Sequence, residues 1–157
     1  MSDGDSCRLK YFEGEPEVLA EVRRMWDEIF DDPEGFADYY FTEICKQNKI
    51  LLAYKGDVLA GMIHLNPYEM QVERKRELCY YIVGVAVKPE YREQGIMRRM
   101  MQRVLADMKK DGRAFTFLMP EREEYYESLG FEKVFHTLEL DIDIAELEDE
   151  DVVPDDL

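Results

Sequence analysis

The chain has 157 residues and a net charge of −16 at neutral pH, with 46% hydrophobic and 36% charged residues. That length fits one domain with a real core. No apolar run approaches the roughly 20 residues a bilayer span needs, so a membrane protein is not expected. The acidic balance disfavours nucleic acid, whose binding rests on clustered Lys and Arg. It can instead attract cationic partners such as amines, or serve solubility alone. Seven of the acids (Glu146, Glu148, Asp149, Glu150, Asp151, Asp155, Asp156) crowd the last segment. The opening MSDGDSCRLK is polar and acidic, unlike a secretory signal or transit peptide. Cys7, Cys45 and Cys79 are odd in number and far apart. Neither a disulfide framework nor a zinc site is expected, and a reducing cytoplasm is the natural setting.

In chain order, 8–12 reads as a first strand. Pro16 suits a helix start, and Val18, Leu19, Val22, Met25, Trp26, Ile29 and Phe30 recur at helical spacing over about 16–30. Asp31-Asp32-Pro33 breaks that helix. Phe36, Tyr39, Tyr40 and Ile44 mark a second helical stripe, which is core by default but can also wall a pocket. Lys49–Lys55 and 58–66 read as a strand pair joined by a Gly56-Asp57 turn. Residues 69–76 are charged and mixed, consistent with a loop or strand end. The longest strand pattern is 77–87 (ELCYYIVGVAV). Gly84 interrupts it, either as a bulge or to admit a large neighbour.

Pro89 stops this strand, and a helix opens near Gly95. Its stripe is Met97, Met100, Met101, Val104, Leu105 and Met108, with Lys109-Lys110 and Asp111-Gly112 at its end. Residues 114–119 read as a strand stopped by Pro120, and 121–129 as a short acidic helix closed by Gly130. Residues 131–135 and 137–144 read as final strands, the last alternating Leu138, Leu140, Ile142 and Ile144 against acids. From Ala145 the chain becomes an acidic tail. The order predicts an α+β, mixed α/β architecture with helices on both faces of the sheet.

The chemistry concentrates where the 77–87 strand feeds the next helix. A helix start leaves backbone N–H groups unpaired and carries the positive pole of the dipole, so it can hold a phosphate or pyrophosphate. Arg92, Arg98 and Arg99 sit in or just after this turn. An ordinary connection with a solvated basic rim is the plainer alternative. No GxGxxG or GxxxxGK[ST] occurs, which counts against a nucleotide-binding protein.

Three features together resemble the Gcn5-related N-acetyltransferase (GNAT) family. Arg92-Glu93-Gln94-Gly95-Ile96 is similar to the first five positions of its Q/R-x-x-G-x-G/A turn, with Met97 departing at the sixth. Tyr125–Phe131 (YYESLGF) resembles its FYxxxGF segment. The element order also fits, and the likeness covers roughly residues 8–144. REQGIMRRMM further resembles the turn of enhanced-intracellular-survival (Eis) type acetyltransferases, where methionine is normal at the sixth position. The resemblance implies a single central mixed sheet, mostly antiparallel, in one acetyltransferase domain over 1–144, followed by the tail 145–157.

It also implies acetyl-CoA as acyl donor. The strand edge at Val85, Ala86 and Val87 would hold the pantetheine arm. Backbone N–H groups of Arg92, Glu93, Gln94, Gly95, Ile96 and Met97 would cradle the pyrophosphate, with Arg98 or Arg92 adding charge. Gly84 would lie at a bulge where two strands splay. Tyr126 would give a proton to the leaving thiolate, and a backbone N–H on the same strand would stabilise the oxyanion. The expected reaction is direct attack by a primary amine of a small molecule or peptide, in a monomer or homodimer. His64, Glu77, Tyr80 and Tyr81 are candidates for the base, each with a structural alternative. A non-catalytic acyl-CoA-binding regulatory module on the same fold is the competing expectation.

Overall fold

The computed structural model describes residues 7–136. Strand β1 (Cys7–Tyr11) leads to α1 (Pro16–Ile29) and α2 (Phe36–Tyr39). A π turn (Tyr40–Ile44) and a 3-10 turn (Cys45–Gln47) extend α2. Strands β2 (Lys49–Lys55), β3 (Val58–Val72) and β4 (Lys75–Val87) follow, then α3 (Ile96–Lys110), β5 (Phe117–Leu118) and α4 (Glu124–Glu127). The strands form one sheet in the order β1-β2-β3-β4-β5. The first four are antiparallel to their neighbours, and β5 runs parallel to β4. This is the α+β, mostly antiparallel mixed sheet expected.

Both faces of the sheet are covered, so its central strands are apolar on both sides. Along β2, Ile50, Leu52 and Tyr54 pack toward α1, while Leu51 and Ala53 pack toward α3. KILLAYK is therefore a near-continuous apolar run rather than an alternating one. On α3, Met100, Met101 and Val104 are fully buried. Each such side chain contributes about 1.5–3 kcal/mol. On α1, Val22, Met25 and Trp26 are buried at helical spacing. The Trp26 indole N–H donates to Asp32 Oδ2 at 2.6 Å, which satisfies its one polar atom.

Three expectations need correction, and one left open is decided. Of the two readings of 69–76, loop or strand end, the second holds. These residues continue β3 to Val72 and open β4 at Lys75, with Val72 paired to Lys75 across a two-residue turn. This end of the hairpin projects beyond the neighbouring strands and is wet on both faces, so no alternation marked it. The strand expected at 114–119 shrinks to Phe117–Leu118, and the helix expected at 121–129 to Glu124–Glu127 flanked by turns. Residues 131–135 carry strand-like residues but form no strand, because no ladder partner lies beside them among the described residues. The strand expected at 137–144 and the tail lie outside the described residues.

Candidate active site

The site is organised by an irregularity in β4. Its pairing with β3 passes from Met62↔Ala86 to His64↔Val83, so β4 carries one extra residue. Gly84 sits at this bulge with φ +60°, a left-handed conformation that favours glycine. A Cβ there would stand 2.5 Å from the Trp26 ring and 3.0 Å from His64 Cδ2. Both readings of the glycine therefore hold: it makes the bulge, and it admits a large neighbour. Strand β5 pairs only with Tyr81 and Ile82. Beyond them the outer edge of β4, including Val85, Ala86 and Val87, has no strand beside it among the described residues.

That open edge runs into the start of α3. Glu93 and Gly95 both have positive φ, +59° and +73°, so the turn folds back on itself immediately before the helix. Such left-handed residues turn successive N–H groups toward one point. Gly95 is the N-cap and offers no side chain, and the first turn of α3 contains no acid. The first N–H groups of the helix are thus left for an anion. Ile96 anchors the turn by burying its side chain, and Met97 packs partly against the same core.

The three arginines all bind neutral oxygens. Arg92 Nε donates to the Val87 carbonyl at 3.0 Å, Arg98 Nη1 to Ser128 Oγ at 3.0 Å, and Arg99 Nη2 to the Cys7 carbonyl at 3.1 Å. None pairs with a carboxylate among the described residues, so none of these carboxylates offsets their positive charge. A polyanion such as a pyrophosphate fits this donor set.

The Arg98–Ser128 bond also ties α4 to α3 and so positions Tyr126. Tyr126 is partly buried in the core on the α3 face, with its ring 5.8 Å from that of Phe131 in an edge-on contact. Val85, Val87, Met97 and Leu118 pack against that same core. Its hydroxyl makes no hydrogen bond among the described residues. Burial, with Glu121 and Tyr125 nearby, raises its pKa above the ordinary tyrosine value. It is a protonated phenol at neutral pH. Tyr125 instead is exposed, as expected for adjacent helical positions.

The candidate bases separate by environment. His64 is fully buried, and burial pushes its pKa down to about 3. It is a neutral ring against Trp26, Tyr40 and Phe41, not a base poised near pH 7. Tyr80 faces the α3 core. Tyr81 stacks on Phe117 at 5.1 Å, and burial raises its pKa. Glu77 lies on the projecting hairpin, opposite Met70. The sequence reading did not anticipate that Tyr40, Asn48 and Asn66 form a hydrogen-bonded group with His64. Only the isolated buried histidine hinted at it.

Comparison with known proteins agrees with this geometry. Residues 13–134 match a family model described as "Acetyltransferase (GNAT) domain". A search of curated proteins finds no match. Among solved structures, a probable N-acyltransferase from Enterococcus faecalis is similar with TM-score 0.73 and 22% identity. That match covers 81% of this chain but only 32% of that one, so this chain spans about a third of that protein's length. A predicted acetyltransferase from Clostridium acetobutylicum, solved with acetyl-CoA, has TM-score 0.69 and 15% identity over 87% of this chain and 96% of its own. AAC(6')-Iy, solved with the bisubstrate analogue CoA-S-monomethyl-acetylneamine, has TM-score 0.67 and 14% identity over 87% of this chain and 99% of its own. The open β4 edge, the uncapped α3 start and the family match lead to one conclusion: the chain belongs to the GNAT acetyltransferase family, whose acyl donor is acetyl-CoA.

Proposed function

We propose that this protein transfers an acetyl group from acetyl-CoA to a primary amine of a small molecule or peptide by direct attack. The observation that carries the reading is the junction of β4 and α3. There, among the described residues, a strand edge without a partner ends at a helix start with no side-chain cap and arginines that meet no carboxylate. In this reading the backbone edge at Val85–Val87 holds the pantetheine arm. The N–H groups from Arg92 to Met97 bind the pyrophosphate, and Arg98 adds charge, having only a serine hydroxyl to release. Arg92, already bound to the Val87 carbonyl, steadies the strand end.

Acetyl-CoA supplies an activated thioester carbonyl. Attack by the amine forms the C–N bond, and collapse of the tetrahedral adduct breaks the C–S bond. A β4 backbone N–H steadies the oxyanion. Tyr126 gives its proton to the departing thiolate and regains one from solvent. The amine sheds its own proton to water, since His64 is too weak a base. The acidic composition favours a cationic acceptor, and the protein acts as a monomer or homodimer in the cytoplasm. Residues 1–144 form the acetyltransferase domain and 145–157 an acidic tail. The REQGIMRRMM turn supports closeness to the first domain of Eis-type proteins.

The lack of a well-placed base favours a second reading, a non-catalytic acyl-CoA-binding module. Thermal shift with acetyl-CoA, NAD and ATP, followed by thiol release across a panel of primary amines, decides between them. Stabilisation by acetyl-CoA with thiol release supports the enzyme. Tight CoA binding with no release from any amine supports the module. Stabilisation by NAD or ATP but not acetyl-CoA refutes both.

A further inference from the structure

The group around His64 has a logic that acetyl transfer as described does not use. The Tyr40 hydroxyl lies 3.1 Å from His64 Nδ1, 3.1 Å from Asn66 Oδ1 and 2.9 Å from Asn48 Nδ2. A phenol has one proton to give. Asn66 Oδ1 can only accept, so it takes that proton. Asn48 Nδ2 can only donate. With the two amides oriented in this way, His64 Nδ1 carries a hydrogen and donates it to Tyr40. In the neutral ring this leaves Nε2 bare, and Nε2, like Asn48 Oδ1 in the same group, is fully buried without a partner among the described residues. Buried polar atoms are nearly always paired, so an orphan of this kind calls for a role.

Position supplies one. The Cγ–Cδ2 edge of the ring faces Gly84, with Cδ2 at 3.0 Å and Cγ at 3.3 Å from where a Cβ would stand. Trp26 closes on the same glycine and contacts the His64 ring edge-on at 5.2 Å. A ring fixed in one orientation by Tyr40 thus presses on the backbone that makes the bulge. The bulge in turn sets where the N–H groups of Val85 and Ala86 lie.

We propose that His64, locked by Tyr40 in its Nδ1–H form, is a positioning residue that sets the β4 bulge for acetyl transfer. This deepens the acetyltransferase reading and rests on it. His64 does not touch the reacting atoms; it acts through Gly84. Misplacing a reacting group by about 1 Å can cost about a hundredfold in rate. Loss of the lock should therefore lower kcat while leaving CoA binding, which spans many more contacts, nearly intact.

Two variants separate the parts of this device. His64→Phe keeps a ring of similar size but loses the tie to Tyr40. Tyr40→Phe keeps His64 but frees its orientation. With acetyl-CoA and spermidine or lysine as acceptor, both should lose at least about tenfold in kcat. The Kd for CoA should stay within about twofold, and folding should stay cooperative. His64→Asn, which retains a donor near the Nδ1 position, should recover part of the loss in His64→Phe. An unchanged kcat in folded His64→Phe overturns the proposal. A matched fall in kcat, CoA affinity and thermal stability also overturns it, since that is general destabilisation.

A readout without turnover keeps failure of the acetyltransferase reading distinct. In nitrogen-15 NMR the wild-type His64 should show a protonated Nδ1 and a bare Nε2. Adding CoA should shift the Gly84, Val85 and Ala86 amides differently in wild type and in Tyr40→Phe. Identical shifts in the two, or a protonated Nε2, overturn the positioning role even if no amine is acetylated. Different shifts without thiol release support the role and refute only the enzyme.

Discussion

Gly84→Ala is the most demanding perturbation of this fold. The glycine has φ +60°, and an L-residue there costs about 1–2 kcal/mol in backbone strain. The new methyl would also meet the Trp26 ring at 2.5 Å and His64 at 3.0 Å, and neither ring sits at the end of a flexible chain. Overpacking of this kind costs about 1–3 kcal/mol. The expected loss is about 2–5 kcal/mol, a large share of the roughly 5–15 kcal/mol that holds a domain together. At about 2–4 °C per kcal/mol for a chain of this size, Tm should fall by roughly 5–20 °C. Urea unfolding and circular dichroism give both quantities. Gly95→Ala is the control: it shares the positive φ, at +73°, but nothing lies within 4 Å of its Cβ, so only the strain applies. Trp26→Phe in the Gly84→Ala background removes the ring atoms in collision and should show favourable coupling. A Gly84→Ala protein within about 0.5 kcal/mol of wild type, the scatter of neutral surface changes, would refute the reasoning.

Other expectations follow from the same structure. Tyr126→Phe should lower kcat by about a hundredfold or more with CoA affinity unchanged, read by thiol release. Because the phenol's pKa is raised, it stays a proton donor to higher pH than an ordinary tyrosine. The rate at saturating substrates should not fall on its account below about pH 10. Arg98→Ala should weaken CoA binding by about 1.5–3 kcal/mol, measured by calorimetry at fixed salt. The Asp107 carboxylate resists burial but is held below its ordinary pKa by Arg103 Nε at 2.7 Å and the Tyr11 hydroxyl at 2.9 Å. A lowered folded pKa stabilises the protein above the unfolded value and is lost as pH falls through the folded one. Asp107→Asn should therefore flatten the decline in stability below about pH 4, and an unchanged acid limb would count against the assignment.

Most of the body was legible because its helices are amphipathic and its central strands apolar. The α1 stripe through Val22, Met25 and Trp26, and the α3 stripe through Met100, Met101 and Val104, have the spacing burial requires. KILLAYK spans the same seven residues in both readings. The projecting part of the β3–β4 hairpin was not legible, because its pairing is with itself and neither face is buried. At β5, strand-like residues overstated the strand, since pairing with β4 ends where the two diverge. The start of α3 was readable from Pro89 and Gly95. The positive φ at Glu93 was not, because nothing in a glutamate marks a left-handed residue. The lock on His64 was hidden for another reason: its four members come from the π turn, the loop before β2, and β3, and only the tertiary fold brings them together.

The extra residue in β4 has a consequence for how this strand can vary. Before it, Tyr80 and Ile82 pack toward α3, and Val83 toward α1; after it, Val85 and Val87 pack toward α3, and Ala86 toward α1. The bulge is thus a phase reset, switching the inward residues from even to odd numbers. Deleting Gly84 would restore regular pairing and leave Val85, Ala86 and Val87 on the faces they now occupy, with Ala86 still opposite Met62. What the deletion removes is the irregularity alone. The core packing of this strand and the path of its edge can therefore change independently.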